Sequence, residues 1–474
     1  MSADAYQARI PIYPRSVKGR FRTLKTAILV LAYGVYFLLP WLRWERAGTT
    51  GQAVLFDLQA RHFYLFDLVV YAQDIFWLAG FLVIAAFLLF FVTGIAGRVF
   101  CGYFCFQTLW ADVFVFIERL VQGERNARIR LAAAPWTGQK LLKIGATHLL
   151  WLGVAFGTGL TFALYWADAP ELAVQVLTGA APFPAYATTL FLTATTYVMA
   201  GLAREQVCTY MCPYARFQGV MFDEDTLVVA YDAARGEGTA GRRKPTKGMT
   251  EREARQAQGV GDCIDCGYCV QVCPVGIDIR NGLQYQCISC ALCIDACDTV
   301  MDTTGFPRGL VAYSSERHLI GKKNRYLRPR NIGYALALLA VMAALVWSIA
   351  TRNQVEMVAR QVRQPLSVTL SDGREQNRYE VKINNKTNRT VRYRLSIAGL
   401  PGAELDTGGL SVIEAPPQGN VQLVARVKLE PRDATASRQL FEFVVTPLDT
   451  PVDEPLAWES VFYMPPARLA RSAR

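Results

Sequence analysis

The chain has 474 residues, of which 52% are hydrophobic, and a formal net charge of +11. This composition is too apolar for an ordinary soluble protein, and the length exceeds that of one typical domain. Lys and Arg gather beside the apolar runs, which indicates membrane orientation signals rather than a nucleic-acid surface, so we expect no nucleic-acid partner. All twelve cysteines lie in tight groups from Cys101 to Cys297. A secreted disulfide protein scatters its cysteines, so this grouping indicates metal sites in a reducing compartment.

Five apolar segments are long enough to cross a bilayer as helices, which takes about 20 residues each. The predicted spans, none of which carries an acidic or basic residue other than histidine, are Thr26–Leu42, Ile75–Ala96, Ile144–Trp166, Tyr186–Ala203 and Ile332–Ala350. The fourth is short and rich in threonine, whose hydroxyl can bond back to its own helix. Between spans two and three, the segment Trp110–Val121 mixes charged and apolar residues, and we expect it to form a helix along the inner membrane surface.

Lys and Arg are unevenly distributed among the loops. They are frequent before the first predicted span, between spans two and three, and from Lys322 to Arg330 before span five, whereas the loop from Ala167 to Ala185 has none. Cytoplasmic loops carry the excess of basic residues in membrane proteins. We therefore expect these three basic segments to be cytoplasmic and the C-terminal tail to be exported.

His148 is the histidine that falls inside a predicted span, and the chain has three histidines in total. A haem held by two histidines within the bundle would need imidazoles facing each other from two helices, which is hard to build from this set. Ionisable groups inside membranes do tend to be functional. We nevertheless expect His148 to be a hydrogen-bonded residue of the bundle rather than a ligand or a quinone contact.

Eight cysteines form two matching motifs. Each motif has three cysteines spaced by two residues and a fourth after three more, and in such motifs the fourth cysteine binds the other cluster. The predicted ligand sets are Cys263, Cys266, Cys269 and Cys297 for one 4Fe-4S cluster, and Cys287, Cys290, Cys293 and Cys273 for the other. Structural zinc bound by Cys-x2-Cys pairs is the alternative, but two matching quartets favour iron–sulfur clusters.

Four further cysteines form two pairs at the predicted membrane edge. Both pairs read Cys-x-Tyr-x-Cys, and they are Cys101 with Cys105 after span two and Cys208 with Cys212 after span four. On a helix, residues four apart share a face, so each pair could present two sulfurs to one ion. Soft thiolates prefer Cu(I), zinc or iron–sulfur iron. We consider a copper or other metal site, a third cluster, and simple helix packing.

The fold class that follows is a membrane α-helical bundle of about five spans, with an inserted bacterial-type two-cluster ferredoxin domain (α+β) and a C-terminal all-β Ig-like sandwich. The sandwich is indicated by alternating patterns such as Tyr379, Val381 and Ile383, separated by turns. The predicted regions are a basic N-terminal segment (1–25), a four-span membrane domain (26–204), a linker and ferredoxin domain (205–330), a fifth transmembrane helix (331–351) and the sandwich (352–474).

This combination resembles one family, the cytochrome c oxidase accessory protein CcoG, also called FixG. The resemblance is carried by the spans with two Cys-x3-Cys pairs, by the run from Gly261 to Arg280, by Pro307-Arg308-Gly309-Leu310, and by a β-domain after a fifth span. One position departs from the family pattern. The first membrane-edge motif of the family usually continues Cys-Pro-Gln, whereas here Phe106 stands before Gln107. This departure puts the local geometry at Cys105 in question, although not the thiols.

The resemblance implies a bacterial inner-membrane protein with a cytoplasmic ferredoxin domain and a periplasmic C-terminal domain. It further implies a cupric reductase that converts Cu(II) to Cu(I) for assembly of a cbb-type oxidase, with copper chaperones and oxidase subunits as partners. Copper would then be held by Cys101, Cys105, Cys208 and Cys212. Two other functions compete with this one, a quinol-linked electron-transfer subunit that feeds a periplasmic enzyme and a redox scaffold or sensor without turnover. The electron donor is not indicated by the sequence.

Overall fold

The computed structural model describes residues 11–46, 49–71, 74–325, 327–387, 389–417, 419–449 and 455–466. The chain divides into two compact units, which are described in turn. The first unit comprises Met1–Leu42, Gln52–Phe63 and Tyr71–Leu345, and the second comprises Arg43–Gly51, Tyr64–Val70 and Val346–Arg474.

The α-helices of the chain range in length from 3 to 27 residues. In chain order they are α1 (Arg20–Leu38), α2 (Ile75–Ala96), α3 (Val99–Tyr103), α4 (Phe106–Gln122), α5 (Arg125–Ala133), α6 (Gly138–Leu164), α7 (Ala169–Thr178), α8 (Phe183–Thr196), α9 (Arg204–Gln206), α10 (Pro213–Met221), α11 (Ala233–Glu237), α12 (Arg252–Ala257), α13 (Tyr268–Gln271), α14 (Leu292–Thr304), α15 (Glu316–Leu319) and α16 (Pro329–Ala350). Two π-helical turns, Tyr197–Ala203 and Val207–Met211, flank α9.

Five helical segments among the described residues are long and apolar enough to cross a membrane. They are Arg20–Trp41, Ile75–Ala96, Val99–Gln122, Gly138–Leu164 and Pro329–Ala350. The predicted number is therefore confirmed, although one member of the set differs. The predicted fourth span, Tyr186–Ala203, is not among them because its α-helix ends at Thr196 and continues as a π-helix. Threonine hydroxyls bond back to their own helix here, as Thr193 does to the Thr189 carbonyl at 2.6 Å.

The prediction that Trp110–Val121 lies along the membrane surface is wrong. This segment belongs to α4, whose Phe114 and Ile117 are buried against Trp151, Ala155 and Ala200. Its charged residues do not mark a solvent-exposed face, because Glu118 is itself buried and forms ion pairs with two arginines. An amphipathic pattern indicates a helix with two different faces, and here the polar face meets other polar side chains inside the protein.

His148 forms a hydrogen bond within the helical bundle, as the sequence predicts. Its Nδ1 lies 2.8 Å from the Tyr197 hydroxyl, and its ring meets the Trp151 ring edge-to-face. This confirms the expectation of a hydrogen-bonded residue.

The ferredoxin region of the first unit is built around its cysteine loops. Strands β6 (Val228–Tyr231) and β7 (Val311–Ser314) pair antiparallel, with Val228 opposite Ser314. Helices α13 and α14 each begin within a cysteine motif. A buried apolar core joins the strands to both motifs and includes Val229, Ile279 and Ile294 together with the cysteines. The cysteine loops are therefore held by a packed core rather than by a flexible linker.

Five short strands precede α2. They are β1 (Arg43–Arg46), β2 (Thr49–Gln52), β3 (Val54–Asp57), β4 (His62–Leu65) and β5 (Leu68–Tyr71).

The second unit contains the predicted β-sandwich, and its all-β character is confirmed. One sheet has the order β12 (Glu404–Asp406), β14 (Asn420–Leu429), β10 (Glu375–Asn385) and β8 (Val355–Gln361), with β9 (Val368–Thr369) also pairing with β10; the other has the order β13 (Ile413–Ala415), β11 (Val391–Ala398), β15 (Arg438–Pro447) and β16 (Leu456–Tyr463). The alternating residues Tyr379, Val381 and Ile383 are fully buried between the sheets, as a period of two requires when one face of a strand meets the core.

Candidate functional site

The two cysteine motifs of the ferredoxin region have the same backbone conformation. In the first motif, Asp265 and Gly267, which flank Cys266, have left-handed φ angles of 51° and 65°. In the second, Ser289 and Ala291 flank Cys290 with φ angles of 52° and 60°. Non-glycine residues adopt this conformation rarely because it costs about 1–2 kcal/mol each. In both motifs these residues flank the second cysteine, so each loop curves around a small central space.

Each predicted ligand set lines its own small cavity. One cavity is bordered by Cys263, Cys266, Cys269 and Cys297. The other is bordered by Cys273, Cys287, Cys290 and Cys293, and Cys269 also reaches its wall. The structure thus brings together the same quartets that the motif spacing predicts, with the fourth cysteine of each motif crossing to the other cavity. Their role as cluster ligands stays a prediction.

The thiols suit iron–sulfur clusters chemically. All eight are free cysteines rather than disulfides. Burial raises the pKa of the Cys287 thiol to about 11, and burial also raises the pKa of Cys269 to about 11. Such thiols become thiolates only when a cation compensates their charge, and iron in a cluster supplies that compensation. The residues present therefore fit two clusters.

The membrane-edge cysteines have a repeated geometry that differs from the predicted one. Cys101 lies in α3 and Cys208 in a π-helical turn, whereas Cys105 and Cys212 are extended residues at the N-termini of α4 and α10. The prediction that each pair shares one helix face is therefore wrong. The helix ends before the second cysteine and a new one starts directly after it, as Pro213 requires in the second pair because it cannot continue a helix. Phe106 allows the same break without a proline.

The four membrane-edge thiols converge although they come from distant parts of the sequence. Cys101 interacts electrostatically with Cys105, Cys208 and Cys212. Burial raises the pKa of Cys208 to about 11, its neighbours Cys105 and Cys212 add to this rise, and Arg98 opposes it. The four sulfurs therefore lie near one another, as expected if the two pairs act together.

One polar partner within this group was not predicted. The Cys101 thiol donates to Oε1 of Gln218 at 3.2 Å, and Gln218 is fully buried on α10. In the described ranges, no three side chains of His, Cys, Asp or Glu stand close enough to hold a single metal ion. The ferredoxin cysteines are likewise too far apart to hold one metal ion, because each quartet lines a cavity.

The first membrane-edge pair packs directly on the second ferredoxin loop. A Cβ atom at Gly102 would lie 2.7 Å from the Ile288 carbonyl oxygen and 2.9 Å from the Cα of Cys290, so glycine is required by this approach. The Tyr103 hydroxyl donates to the Cys290 carbonyl oxygen at 3.2 Å. Cys101 packs in the same apolar cluster as Cys290.

Arg98 joins this contact to the second pair. Its buried guanidinium donates to the carbonyl oxygens of Tyr285, Cys287 and Ala215, the last of which lies on α10 three residues after Cys212. A buried arginine is stable only when its donors are occupied, and here carbonyl groups from both sides of the interface accept them. The sequence suggested Arg98 only as a charge beside a membrane span, so neither its role nor that of Gly102 was predicted.

Comparison with known proteins agrees with this architecture. Residues 203–316 match the family described as "4Fe-4S dicluster domain", and residues 345–465 match the "IG-like fold at C-terminal of FixG". Protein RdxA of Cereibacter sphaeroides is 41% identical over 439 residues, which cover 90% of this chain and 91% of RdxA. Nitrogen fixation protein FixG of Rhizobium meliloti is 42% identical over 437 residues, 85% of this chain and 82% of FixG. Protein RdxB of C. sphaeroides is 41% identical over 406 residues, 84% and 83% of the two chains.

The fold and the cysteine loops therefore define a multi-pass membrane protein with a two-cluster 4Fe-4S ferredoxin domain and a C-terminal Ig-like domain, a class suited to iron–sulfur electron transfer. Within that class, the chain belongs to the FixG family, as its identity to FixG, RdxA and RdxB over most of their length establishes. The family resemblance found in the sequence is confirmed.

Proposed function

We propose that this protein passes single electrons from its two 4Fe-4S clusters to Cu(II) held at the membrane-edge thiols, and that each Cu(II) is thereby reduced to Cu(I). The observation that carries the proposal is the contact of Gly102 and Tyr103 with the loop between Cys287 and Cys290. Through this contact, backbone atoms and the Tyr103 side chain join the second ferredoxin loop to the first cysteine pair. Clusters held by the two quartets would supply electrons one at a time, and each Cu(II) takes up one electron to become Cu(I).

The four membrane-edge thiols suit the product of this reaction. Cu(I) is the form of copper that soft thiolates hold best. Cys105 and Cys212 are placed at the N-termini of α4 and α10, beside the positive ends of the helix dipoles. Binding would draw the sulfurs closer together than they stand without metal. Reduction and retention of copper would then occur at the same thiols.

The family resemblance extends the proposal to a biological role. The reduced copper would serve assembly of a cbb-type cytochrome oxidase, with copper chaperones and oxidase subunits as partners and with a donor still to be identified. The distribution of Lys and Arg supports an inner-membrane protein with its ferredoxin domain in the cytoplasm and its Ig-like domain in the periplasm.

A second function, quinol-linked electron transfer, is favoured by one feature of the bundle. A cavity of about 390 Å³ lies among apolar and aromatic side chains that include Tyr36, Trp110 and Phe162. Sites for small organic molecules are typically apolar with a few placed polar groups. Here Thr158 supplies such groups, since it accepts hydrogen bonds from Tyr36 and Trp110 through its carbonyl and hydroxyl oxygens. Quinol oxidation coupled to a periplasmic acceptor, measured in proteoliposomes, would support this function over cupric reduction.

The copper proposal is tested by replacing Cys101, Cys105, Cys208 and Cys212 with serine together. We expect the variant to retain its iron and its brown colour but to lose reduction of Cu(II), measured with a cuprous chelator after adding dithionite-reduced protein. Unchanged copper reduction in this variant would refute the role of these thiols. An iron-free wild-type protein would refute the electron source as well.

A further inference from the structure

A second site lies beside both groups of thiols. A cavity of about 70 Å³, partly open to solvent, is lined by the N-terminal segment, α1, α4 and the ferredoxin loops. Its wall includes Cys208 on one side and Pro274, the residue after Cys273, on the other. Since one buried water needs about 10–15 Å³ of such space, the cavity has room for several waters or for one small polyatomic ion.

The charges around this cavity are mostly positive. The ionisable side chains in its wall, apart from cysteine, are Arg15, Arg22, Lys25, Asp112, Arg119, Arg204 and Glu205. Two of the arginines are already paired with carboxylates. Arg22 donates to both oxygens of Asp112 at 2.9 Å, and Arg204 pairs with Glu118, which lies outside the wall. The wall therefore has more positive charge than its own carboxylates can balance.

Lys25 is the most unusual of these residues. The residue is 1% exposed, and it lines the cavity. Asp112 attracts it electrostatically, but both oxygens of that carboxylate already accept from Arg22. Nearby, Nε of Arg119 is buried without an acceptor among the described residues. Leaving a buried cation without a hydrogen-bonded partner is costly.

We propose that this cavity binds a phosphate group, provided either by the head group of an anionic phospholipid or by free phosphate. A phosphate offers several acceptor oxygens and a negative charge, which match the ammonium group of Lys25, the unpaired Nε of Arg119 and the excess of positive charge. Basic pockets at the cytoplasmic edge of membrane helices are suited to anionic head groups. The cavity has room for the phosphate group itself.

Such an anion would lie between the ferredoxin loops and the second cysteine pair. Its negative charge would disfavour the addition of an electron to either side, because like charges repel across a short distance. The proposal of binding does not depend on the copper chemistry, and its test needs no copper.

The test compares two lysines of the same region that differ in burial. Iron-loaded protein in a neutral detergent is heated with sodium phosphate or with sodium chloride at equal ionic strength, and in parallel with phosphatidylglycerol or phosphatidylcholine. We expect phosphate or phosphatidylglycerol to raise the unfolding temperature of the wild type. Lys25→Met should weaken the apparent affinity by about tenfold or more, the equivalent of one charge-assisted hydrogen bond, whereas Lys18→Met, at an exposed position, should leave it unchanged.

The outcomes separate the possible sources of the phosphate group. Stabilisation by both probes indicates a site open to free phosphate, and stabilisation by phosphatidylglycerol alone indicates a lipid head group. Without either probe, the unfolding temperature of Lys25→Met sets its own baseline, and the response to each probe is measured from that baseline. The proposal is overturned if neither probe stabilises the wild type, or if Lys25→Met responds to the probes as Lys18→Met does.

Discussion

The two groups of cysteines in this protein are built in different ways. The eight ferredoxin cysteines lie within 35 residues, and each loop takes its shape from local backbone conformation, with left-handed residues flanking Cys266 and Cys290. The four membrane-edge cysteines come from segments more than 100 residues apart and meet only because α3 and the turn before α10 fold together. The first group therefore depends on local sequence, and the second depends on how the bundle is packed.

This difference predicts how each group responds to mutation. A ferredoxin loop should fail when one of its own cysteines is lost, since the cluster is what its left-handed residues enclose. The membrane-edge group should be sensitive to residues that bear no thiol at all, such as Arg98 and Gly102, because these hold the distant segments against each other.

The largest effect should come from removing a ferredoxin ligand next to the membrane-edge pair. Cys290→Ser should lower the iron content by about half, since one of two clusters loses a ligand, and should nearly abolish Cu(II) reduction. Cys266→Ser should cause a similar loss of iron but a smaller loss of copper reduction by protein that has been reduced with dithionite and freed of the excess, because its quartet lies farther from Gly102. Iron analysis and a cuprous-chelator assay measure both. Equal losses of copper reduction would contradict the proposed order of electron transfer.

A smaller but more specific effect is expected from Gly102→Val. The added side chain would overlap the Ile288 carbonyl and Cys290, so the loop and the first cysteine pair must separate. We expect about tenfold slower copper reduction or more, as a displacement of about 1 Å can cause in a reacting geometry. The iron content should remain that of the wild type.

Gly145→Val provides the matched control for this substitution. Gly145 is also helical, but a Cβ atom there meets no atom within 4 Å. Both variants therefore carry the cost of a β-branched residue in a helix, and only Gly102→Val disturbs the contact. Similar rates in the two variants would show that the contact with the ferredoxin loop is not needed.

The smallest effect should come from Tyr103→Phe. This substitution removes the hydrogen bond to the Cys290 carbonyl oxygen and keeps the buried ring. A hydrogen bond of this kind contributes about 1 kcal/mol, so we expect copper reduction to slow by about two- to fivefold, with unchanged iron. Electron paramagnetic resonance of the reduced protein should show a small change in one cluster signal and none in the other. A rate equal to that of the wild type would show that the tyrosine does not contribute to the path.

The sequence predicted some elements of the fold better than others. Long uncharged segments such as Ile75–Ala96 were predicted with both bounds, because a span of this kind is apolar on all sides whatever surrounds it. The role of α4 was predicted wrongly, because Glu118 resembles a residue of a solvent-exposed face until its partners Arg128 and Arg204 are known. The helix breaks at Cys105 and Cys212 were also missed, although Pro213 marks the second of them.

The sequence by itself determined four of the five apolar spans, the two ferredoxin motifs and the alternating strands of the C-terminal domain, because each depends on the spacing of residues along a short stretch of chain. Tertiary structure alone decided that the first membrane-edge pair lies on the loop between Cys287 and Cys290, that Gln218 accepts a hydrogen bond from Cys101, and that Lys25 lines a cavity together with Arg119. The hydrogen bonds that Cys101 and Tyr103 donate join residues 117 and 187 positions apart, and no local period relates side chains over such distances.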